Sequence, residues 1–208
     1  MSAPFRIAVL ISGGGTTLKN LIDWDQRGQL NAEIGCVVSS NPEAGGLEYA
    51  ASAGVVGKIV DHREFDDIDA FSQAIFEPVL ESAADLVVMG GFLRRLKIPE
   101  TFTNRVVNIH PSLIPAFCGK GHYGRRVHQA VLDYGCKLTG CTVHFVDDHY
   151  DHGPIIAQQT APVFDGDDAA ALAARVFEVE CQLYPQVINA IAGGEITVSG
   201  RQVSWKSS

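Results

Sequence analysis

The segment FRIAVLISGGGTTLKNLIDWD, residues 5–25, decides the fold class. Its first part, 5–11, is an apolar run of the kind found in strands that are buried on both faces. Glycines 13–15 end the run, and apolar residues then recur at helical spacing, namely Leu18, Leu21 and Ile22. The segment therefore predicts a strand, a glycine turn and a helix over 16–25.

The same alternation continues through the first half of the chain. Apolar runs predict further strands and amphipathic spacing predicts further helices: the strands are 34–39, 56–60, 86–89 and 106–109, and the helices are 47–53 and 68–80. Pro111 ends the fifth strand, because proline has no N–H to donate to a neighbouring strand. Buried strands alternating with helices predict an α/β fold with a doubly wound, mostly parallel, Rossmann-like sheet.

The second half of the chain has a different pattern. A loop over 111–124 and a helix over 127–132 precede two β-rich stretches, 138–146 and 155–163, which we expect to be antiparallel to each other or at a sheet edge. Asp167 and Asp168 then cap a helix that runs to Ala192, and a terminal hairpin pairs 196–198 with 203–205. Because neither a repeat nor a linker separates the two halves, we expect a single domain over 1–208.

The composition excludes several classes of protein. Sixteen Lys and Arg against 24 Asp and Glu give a net charge of −8, so no basic field attracts a nucleic acid. The longest apolar run near the N-terminus, 7–11, is too short for a membrane span or a signal peptide. Five cysteines without a C-x-x-C pair indicate reduced thiols, and Cys118 is not expected to be a nucleophile. These features predict a cytoplasmic protein with neither a nucleic-acid nor a membrane partner.

The glycine turn, 13–17, is a candidate phosphate site. Its backbone N–H groups lie at the positive end of the following helix. A dinucleotide fingerprint is disfavoured, because Leu18 stands where the third glycine belongs and Ser39, Ser40 and Asn41 replace the expected acid. The nucleoside-triphosphate loop also fails, because no Gly-Lys-Ser/Thr follows. A phosphate site and a plain tight turn both remain open.

Asn108 and His110 are the candidates for catalysis. They lie two residues apart on one strand, so both side chains leave the same face at the carboxyl end of the sheet, where parallel sheets bind their ligands. An amide donor and an imidazolium on one side of a cleft can hold the oxyanion of a tetrahedral intermediate, and histidine can also move a proton. A hydrogen-bonded pair that closes the strand end is the alternative.

Histidines and carboxylates crowd residues 144–152. The spacing of His144, His149 and His152 resembles a metal site, but His144 falls on a strand and the other two fall in the next loop, so we predict no metal. We expect instead that one carboxylate lies near His110 and keeps it charged. Asp151 is the candidate because the Gly-Pro turn after it fixes the local geometry, although Asp147 and Asp148 remain alternatives.

Several motifs together resemble one enzyme family. They are Ile11 to Leu18 (ISGGGTTL), Gly90 to Arg94 (GGFLR), Asn108 to Pro115 (NIHPSLIP), His144 to Val146 (HFV) and Asp151 to Gln158 (DHGPIIAQ). Their order resembles that of the phosphoribosylglycinamide formyltransferases of purine biosynthesis, over nearly the whole chain. The resemblance implies one formyltransferase domain, with a phosphate-binding half over 1–105 and a catalytic and folate-binding half over 106–208.

The resemblance also implies roles for individual residues. Asn108 matches the stabiliser of the formyl oxygen, His110 the proton donor and Asp151 the carboxylate that supports the histidine. The substrate phosphate and glycinamide would contact Gly13, Gly15, Thr16, Thr17 and Glu180. The folate pocket would be formed by Phe92, Leu93, Arg94, Arg95, Leu96, Val143 and Asp147.

Three departures from the family pattern bear on these roles. Thr17 replaces a common asparagine, which a backbone contact tolerates. Ile68 stands where some members have an arginine, for which Arg63 is a possible replacement. The loop 116–124 is longer than in some relatives, and we expect it to form part of a mobile wall.

The activity implied is formyl transfer from 10-formyltetrahydrofolate to the amine of 5-phosphoribosylglycinamide, by direct attack of the amine and without a metal. The same motifs occur in formyltetrahydrofolate deformylases and in transferases that use another amine, so these remain alternatives. A non-enzymatic phosphate- or nucleotide-binding module would explain the glycine turn alone. The expected partners are small molecules, and the protein is expected to be a monomer or a homodimer.

Overall fold

The apolar segment that opens the chain forms an inner strand of a seven-stranded sheet in the computed structural model, which describes residues 3–206. The strands of this sheet are β1 (Arg6–Ile11), β2 (Glu33–Ser39), β3 (Gly57–Ile59), β4 (Leu86–Met89), β5 (Val106–His110), β6 (Leu138–Phe145) and β7 (Ile155–Pro162). The helices are α1 (Thr16–Gln26), α2 (Gly46–Ser52), α3 (Ile68–Glu81), α4 (Arg125–Tyr134) and α5 (Ala169–Ala192). A separate hairpin pairs β8 (Ile196–Ser199) with β9 (Gln202–Trp205).

The strand order is β3-β2-β1-β4-β5-β6-β7. Strands β1 to β5 are parallel to one another, whereas β6 is antiparallel to both β5 and β7. The predicted mostly parallel sheet with an antiparallel C-terminal part is confirmed. The chain runs outward from β1 to β3 and then returns to β4 on the other side of β1. The strand order therefore reverses between β1 and β4, and such a reversal is where open α/β sheets bind ligands.

Both faces of the sheet are covered, which explains why its strands are apolar throughout. Ile7, Val9 and Ile11 of β1 pack into one core together with residues of α1 and α5. Ala8 and Leu10 point to the other face and pack into a second core with residues of α3. Successive residues of one strand thus enter two different cores, as the period of two requires.

Helix α5 is anchored to the sheet beside the strand ends. The Tyr184 side chain is fully buried, and its hydroxyl lies 3.0 Å from the carbonyl oxygen of Met89 and 2.9 Å from that of Val107. Asp168 caps the helix as predicted, because its carboxylate accepts the backbone N–H groups of Ala170 and Ala171. Met89 ends β4 and Val107 lies in β5, so this contact fixes α5 against β4, which borders the switch point, and against its neighbour β5.

Two predicted elements differ from the observed ones by more than single residues at their ends. The third strand was expected over 56–60 as a buried run, but β3 has three residues, all exposed, because it is an edge strand that pairs with β2 alone. Helix α4 begins two residues before and ends two residues after the predicted 127–132. Its polar first turn carries no apolar periodicity.

None of the helices in residues 3–206 is long and apolar enough to cross a membrane.

Candidate active site

A cavity of about 720 Å³ opens at the carboxyl ends of β1, β4 and β5. Such a volume is typical of small-molecule sites. The cavity is lined by residues that follow these three strands, by one face of α5 and by residues 119–126, which are a loop and the first turn of α4. Among its lining residues are Thr16, Thr17, Phe92, Leu93, Asn108, His110, Asp151 and Glu180. The structure therefore brings the predicted catalytic residues together with most of the residues predicted to contact the phosphate and the glycinamide.

The side-chain amide of Asn108 is held by His144, which lies opposite it on β6. Asn108 Nδ2 is 3.3 Å from His144 Nε2, and His144 Nδ1 is 2.7 Å from the carbonyl oxygen of Phe145. A carbonyl only accepts, so Nδ1 carries the proton and Nε2 accepts from the amide. Burial lowers the pKa of His144, which keeps this ring neutral. The amide is thus fixed with its N–H groups, rather than its oxygen, toward His144, and one N–H remains free for a ligand.

His110 has one nitrogen in use and one available. Its ring is buried, with 4% exposure, and Nε2 donates to the carbonyl oxygen of Phe117 at 2.9 Å. Nδ1 lies 3.5 Å from Asp151 Oδ2. Because Nε2 keeps its proton against a carbonyl, Nδ1 is the atom that can exchange a proton.

Asp151 is the carboxylate beside His110. Oδ2 accepts the backbone N–H of Gly119 at 2.8 Å, and Oδ1 lies 3.8 Å from His144 Nε2. The backbone of Asp151 is in the left-handed region, with a φ of 51°. Asp147 and Asp148 make other contacts: Asp147 accepts from His152, and Asp148 accepts the backbone N–H of Ile98. Geometry therefore selects Asp151 among the three alternatives.

The remaining polar residues of this loop form a cluster of their own. Ligand atoms of Asp147, His149 and His152 all lie within 4.8 Å of one another, which is the nearest approach to a metal site in residues 3–206. His152 Nδ1 is 2.7 Å from Asp147 Oδ2, and Arg201 approaches Nε2 of the same ring at 3.4 Å. A guanidinium only donates, so Nε2 accepts and the proton on Nδ1 bonds the carboxylate. Hydrogen bonds explain the cluster, and His144 is not part of it.

Most residues predicted for the folate pocket lie around a smaller cavity beside the first. It has a volume of about 70 Å³, and its lining includes Phe92, Arg94, Arg95, Leu96 and Asp147. The segment that follows β4 is tied to the loop after β6, because Arg95 Nε donates to the carbonyl oxygen of Asp148 at 3.0 Å.

Two residues predicted for the folate side are not among the lining of either cavity. The Val143 side chain is fully buried in the core, so the contact implied at this position is one from the backbone. Arg63 pairs with Asp61 at 2.7 Å and also lines neither cavity, so it does not take the place of the arginine that Ile68 replaces.

The glycine turn divides into residues that face the cavity and residues that shape the backbone. Thr16 and Thr17 line the cavity, whereas Gly13 and Gly15 do not. Gly15 has a φ of 72°, and a Cβ there would lie 2.4 Å from the Cα of Gly46. This position needs glycine because α1 and α2 approach each other at their starts.

Glu180 projects from α5 into the cavity wall. Desolvation raises the pKa of its carboxyl to about 7. The group is thus poised between its two protonation states near neutral pH.

Sequence reasoning missed three parts of this site. The role of His144 depends on its register opposite Asn108, which no local pattern reveals. The carbonyl of Phe117 that holds His110 belongs to a loop of unpredictable path. The basic residues Lys120, Arg125 and Arg126 line the cavity, and their glycine-rich surroundings were the one signal that pointed to them.

Cys118, as expected, has no activated thiol, since burial raises its pKa.

Comparisons with known proteins agree on one family. The family model described as formyl transferase matches residues 5–188. The chain is 37% identical over 189 residues to a chloroplastic phosphoribosylglycinamide formyltransferase of Vigna unguiculata, covering 89% of this chain and 60% of that protein. It is 35% identical over 193 residues to the phosphoribosylglycinamide formyltransferase of Haemophilus influenzae, covering 92% of this chain and 89% of that protein.

Solved structures give the same result. A crystal structure of glycinamide ribonucleotide transformylase 1 from Symbiobacterium toebii superposes with a TM-score of 0.92 and 38% identity, covering 98% of this chain and 94% of that one. The chain is shorter than some of its relatives: it spans 60% of the plant protein's length and 20% of the trifunctional purine biosynthetic protein adenosine-3 of Gallus gallus.

Proposed function

The chain belongs to the formyl transferase family, and we propose that it transfers a formyl group from 10-formyltetrahydrofolate to the amine of 5-phosphoribosylglycinamide, in purine biosynthesis. The observation that carries this proposal is the convergence of Asn108, His110 and Asp151 on one cavity, which the first turn of α1 also lines. An oxyanion donor, a proton carrier and a phosphate-binding turn are together what formyl transfer to a phosphorylated amine requires.

Asn108 is the group that stabilises the oxyanion. When the amine attacks, the formyl carbon becomes tetrahedral and its oxygen gains negative charge. The Asn108 amide, fixed by His144 Nε2, presents its free N–H to that oxygen without reorganising during the reaction. Because the donor is oriented before the substrate binds, it stabilises the negative charge of the transition state more than it stabilises the uncharged formyl group of the bound substrate.

His110 and Asp151 move the proton. The new C–N bond forms to the amine, the bond from the formyl carbon to the folate nitrogen breaks, and one proton passes from the first nitrogen to the second. Protonated at Nδ1, His110 delivers a proton to the departing folate nitrogen, while Asp151 at 3.5 Å stabilises the imidazolium. No net acid, base or metal ion is consumed in these steps.

Two ends of the site bind the two substrates. Thr16, Thr17 and Glu180 lie in the cavity on the side of the glycine turn, which suits the phosphate and the glycinamide. The folate side is formed by Phe92, Leu93, Arg94, Arg95, Leu96 and Asp147 around the smaller cavity and its border. The first half of the chain therefore supplies the phosphate turn and part of the folate wall, and the second half supplies the catalytic side chains.

A formyl-transfer assay tests the proposal. The protein is incubated with 10-formyltetrahydrofolate, with and without 5-phosphoribosylglycinamide, and both the formylated amide and free formate are measured. We expect formylated product only with the amine, and little formate in either sample. Release of formate in both samples identifies a deformylase, and neither product, with binding of a nucleotide but of no folate, identifies a binding module.

A further inference from the structure

The positive charge of the main cavity comes from one segment, which consists of the loop before α4 and the first turn of that helix. Lys120, Arg125 and Arg126 are the lysine and arginine side chains among its lining residues, and the acidic ones are Asp151 and Glu180. None of the three cations has a carboxylate within 4 Å among residues 3–206, whereas several cations elsewhere do, such as Lys97 with Asp69 and Lys137 with Asp165. Arg126 stacks on the ring of Tyr123, with its guanidinium carbon 5.0 Å from the ring centre. The three positive charges at the cavity are thus not neutralised by a carboxylate of residues 3–206.

Two helices also begin at this cavity. Gly15 caps α1 and Gly124 caps α4, and neither helix has a side chain bound to its free N–H groups at that end. Both first turns line the cavity, through Thr16 and Arg125 among others. Unsatisfied N–H groups at a helix start carry partial positive charge and favour an anion.

A buried histidine gives a second, independent indication of a ligand. His128 lies one turn into α4, is 4% exposed and lines the same cavity. Its Nδ1 atom is buried and has no hydrogen-bond partner within residues 3–206. Buried polar atoms without a partner are uncommon in folded proteins and call for an explanation. A polar ligand in the cavity supplies one.

We infer that Lys120, Arg125 and Arg126 bind the phosphate of the acceptor substrate together with the glycine turn. This inference rests on the proposed function and extends it to substrate specificity. A phosphate monoester carries a charge near −2 and offers three acceptor oxygens, and a guanidinium binds such a group through two parallel N–H bonds. The glycine turn has N–H groups but no cation in the cavity lining, so Lys120, Arg125 and Arg126 provide the missing charge.

The carboxylates of the folate tail are the other anions that could bind these cations. The phosphate is favoured because the three cations share a cavity with Thr16, Thr17 and Glu180. Arg94 and Arg95, the cations on the folate side, line the smaller cavity instead. The path of residues 119–124 depends on glycine, since Gly119, Gly121 and Gly124 all have positive φ angles.

Kinetics of Arg125→Ala and Arg126→Ala test the inference. Each loss of a charge-assisted contact is expected to raise KM for 5-phosphoribosylglycinamide by roughly tenfold or more. We expect KM for 10-formyltetrahydrofolate to change less than twofold. Arg125→Lys, which keeps the charge but not the forked donor, should lie in between. Arg27→Ala is the matched control. This substitution removes the same charge, and Arg27 is exposed at the far end of α1.

A substrate without the phosphate separates charge recognition from damage to the fold. With the unphosphorylated glycinamide riboside, both arginine variants should equal the wild type. An unchanged KM for the phosphorylated substrate in both variants overturns the inference, and so does a rise confined to the folate KM. If the wild type transfers no formyl group, the proposed function fails. Calorimetric affinity for inorganic phosphate, compared between wild type and variants, then still decides whether these arginines bind the anion.

Discussion

Replacing Asp151 by asparagine removes one charge from the catalytic centre and leaves its shape in place. Asp151 Oδ2 accepts the N–H of Gly119 at 2.8 Å and lies 3.5 Å from His110 Nδ1. An asparagine oxygen can occupy the same position and accept the same bond, and its amide would then face His144 Nε2, which is an acceptor. The variant should therefore fold with the loop held as before.

The size of the effect follows from the distance. Unit charges 3.5 Å apart at an effective dielectric of about 20 interact by about 5 kcal/mol, and a neutral oxygen keeps part of this as a hydrogen bond. We expect a loss of about 2–4 kcal/mol of stabilisation of the imidazolium. This corresponds to a fall in kcat of roughly 30- to 1,000-fold, with KM values near those of the wild type.

Steady-state kinetics with both substrates measure this effect, and Asp165→Asn serves as the control because its carboxylate is exposed and pairs only with Lys137. Thermal unfolding should give the same midpoint for Asp151→Asn and the wild type. Asp151→Ala, which also removes the acceptor for Gly119, should in addition raise KM as the loop is released. A kcat of Asp151→Asn within fivefold of the wild type would refute the electrostatic role of this carboxylate.

Three further perturbations probe other parts of the site. Asn108→Ala removes the oxyanion donor and should lower kcat by about two to three powers of ten at unchanged stability, as measured by kinetics and thermal unfolding; normal turnover would exclude the role. Glu180→Gln tests the half-buried carboxyl, whose pKa is raised to about 7 in the fold, so that wild-type stability falls as pH rises from about 4.5 through 7. In denaturant unfolding curves, the unfolding free energy of the variant should not show this fall with pH. Parallel pH profiles of variant and wild type would contradict the prediction. Gly15→Ala should cost at least about 2 kcal/mol of unfolding free energy, because its Cβ would meet Gly46 at a φ of 72°, whereas Gly14→Ala, where a Cβ meets open space, should cost much less.

The sequence predicted the fold well because local patterns specify its elements. A strand buried on both faces is apolar throughout, and a helix on a sheet has one apolar side, so β1, β4 and α3 could be placed from composition and spacing alone. The prediction was least accurate for exposed segments, where burial does not restrict which residue types occur. Strand β3 lies exposed at the edge and is shorter than expected, and the polar first turn of α4 carries no apolar signal.

The catalytic centre is only partly local, and this determines what sequence reasoning could find. Asn108 and His110 share a strand, so their common face follows from the period of two. The third member depends on tertiary structure: β6 pairs antiparallel with β5, which sets His144 against Asn108, and the loop after β6 then returns Asp151 to the same strand end. A shift of this pairing by one residue would turn His144 to the other face of the sheet. The amide would lose its orienting partner although both β5 residues were unchanged, so the register of β5 with β6 is itself a determinant of catalysis.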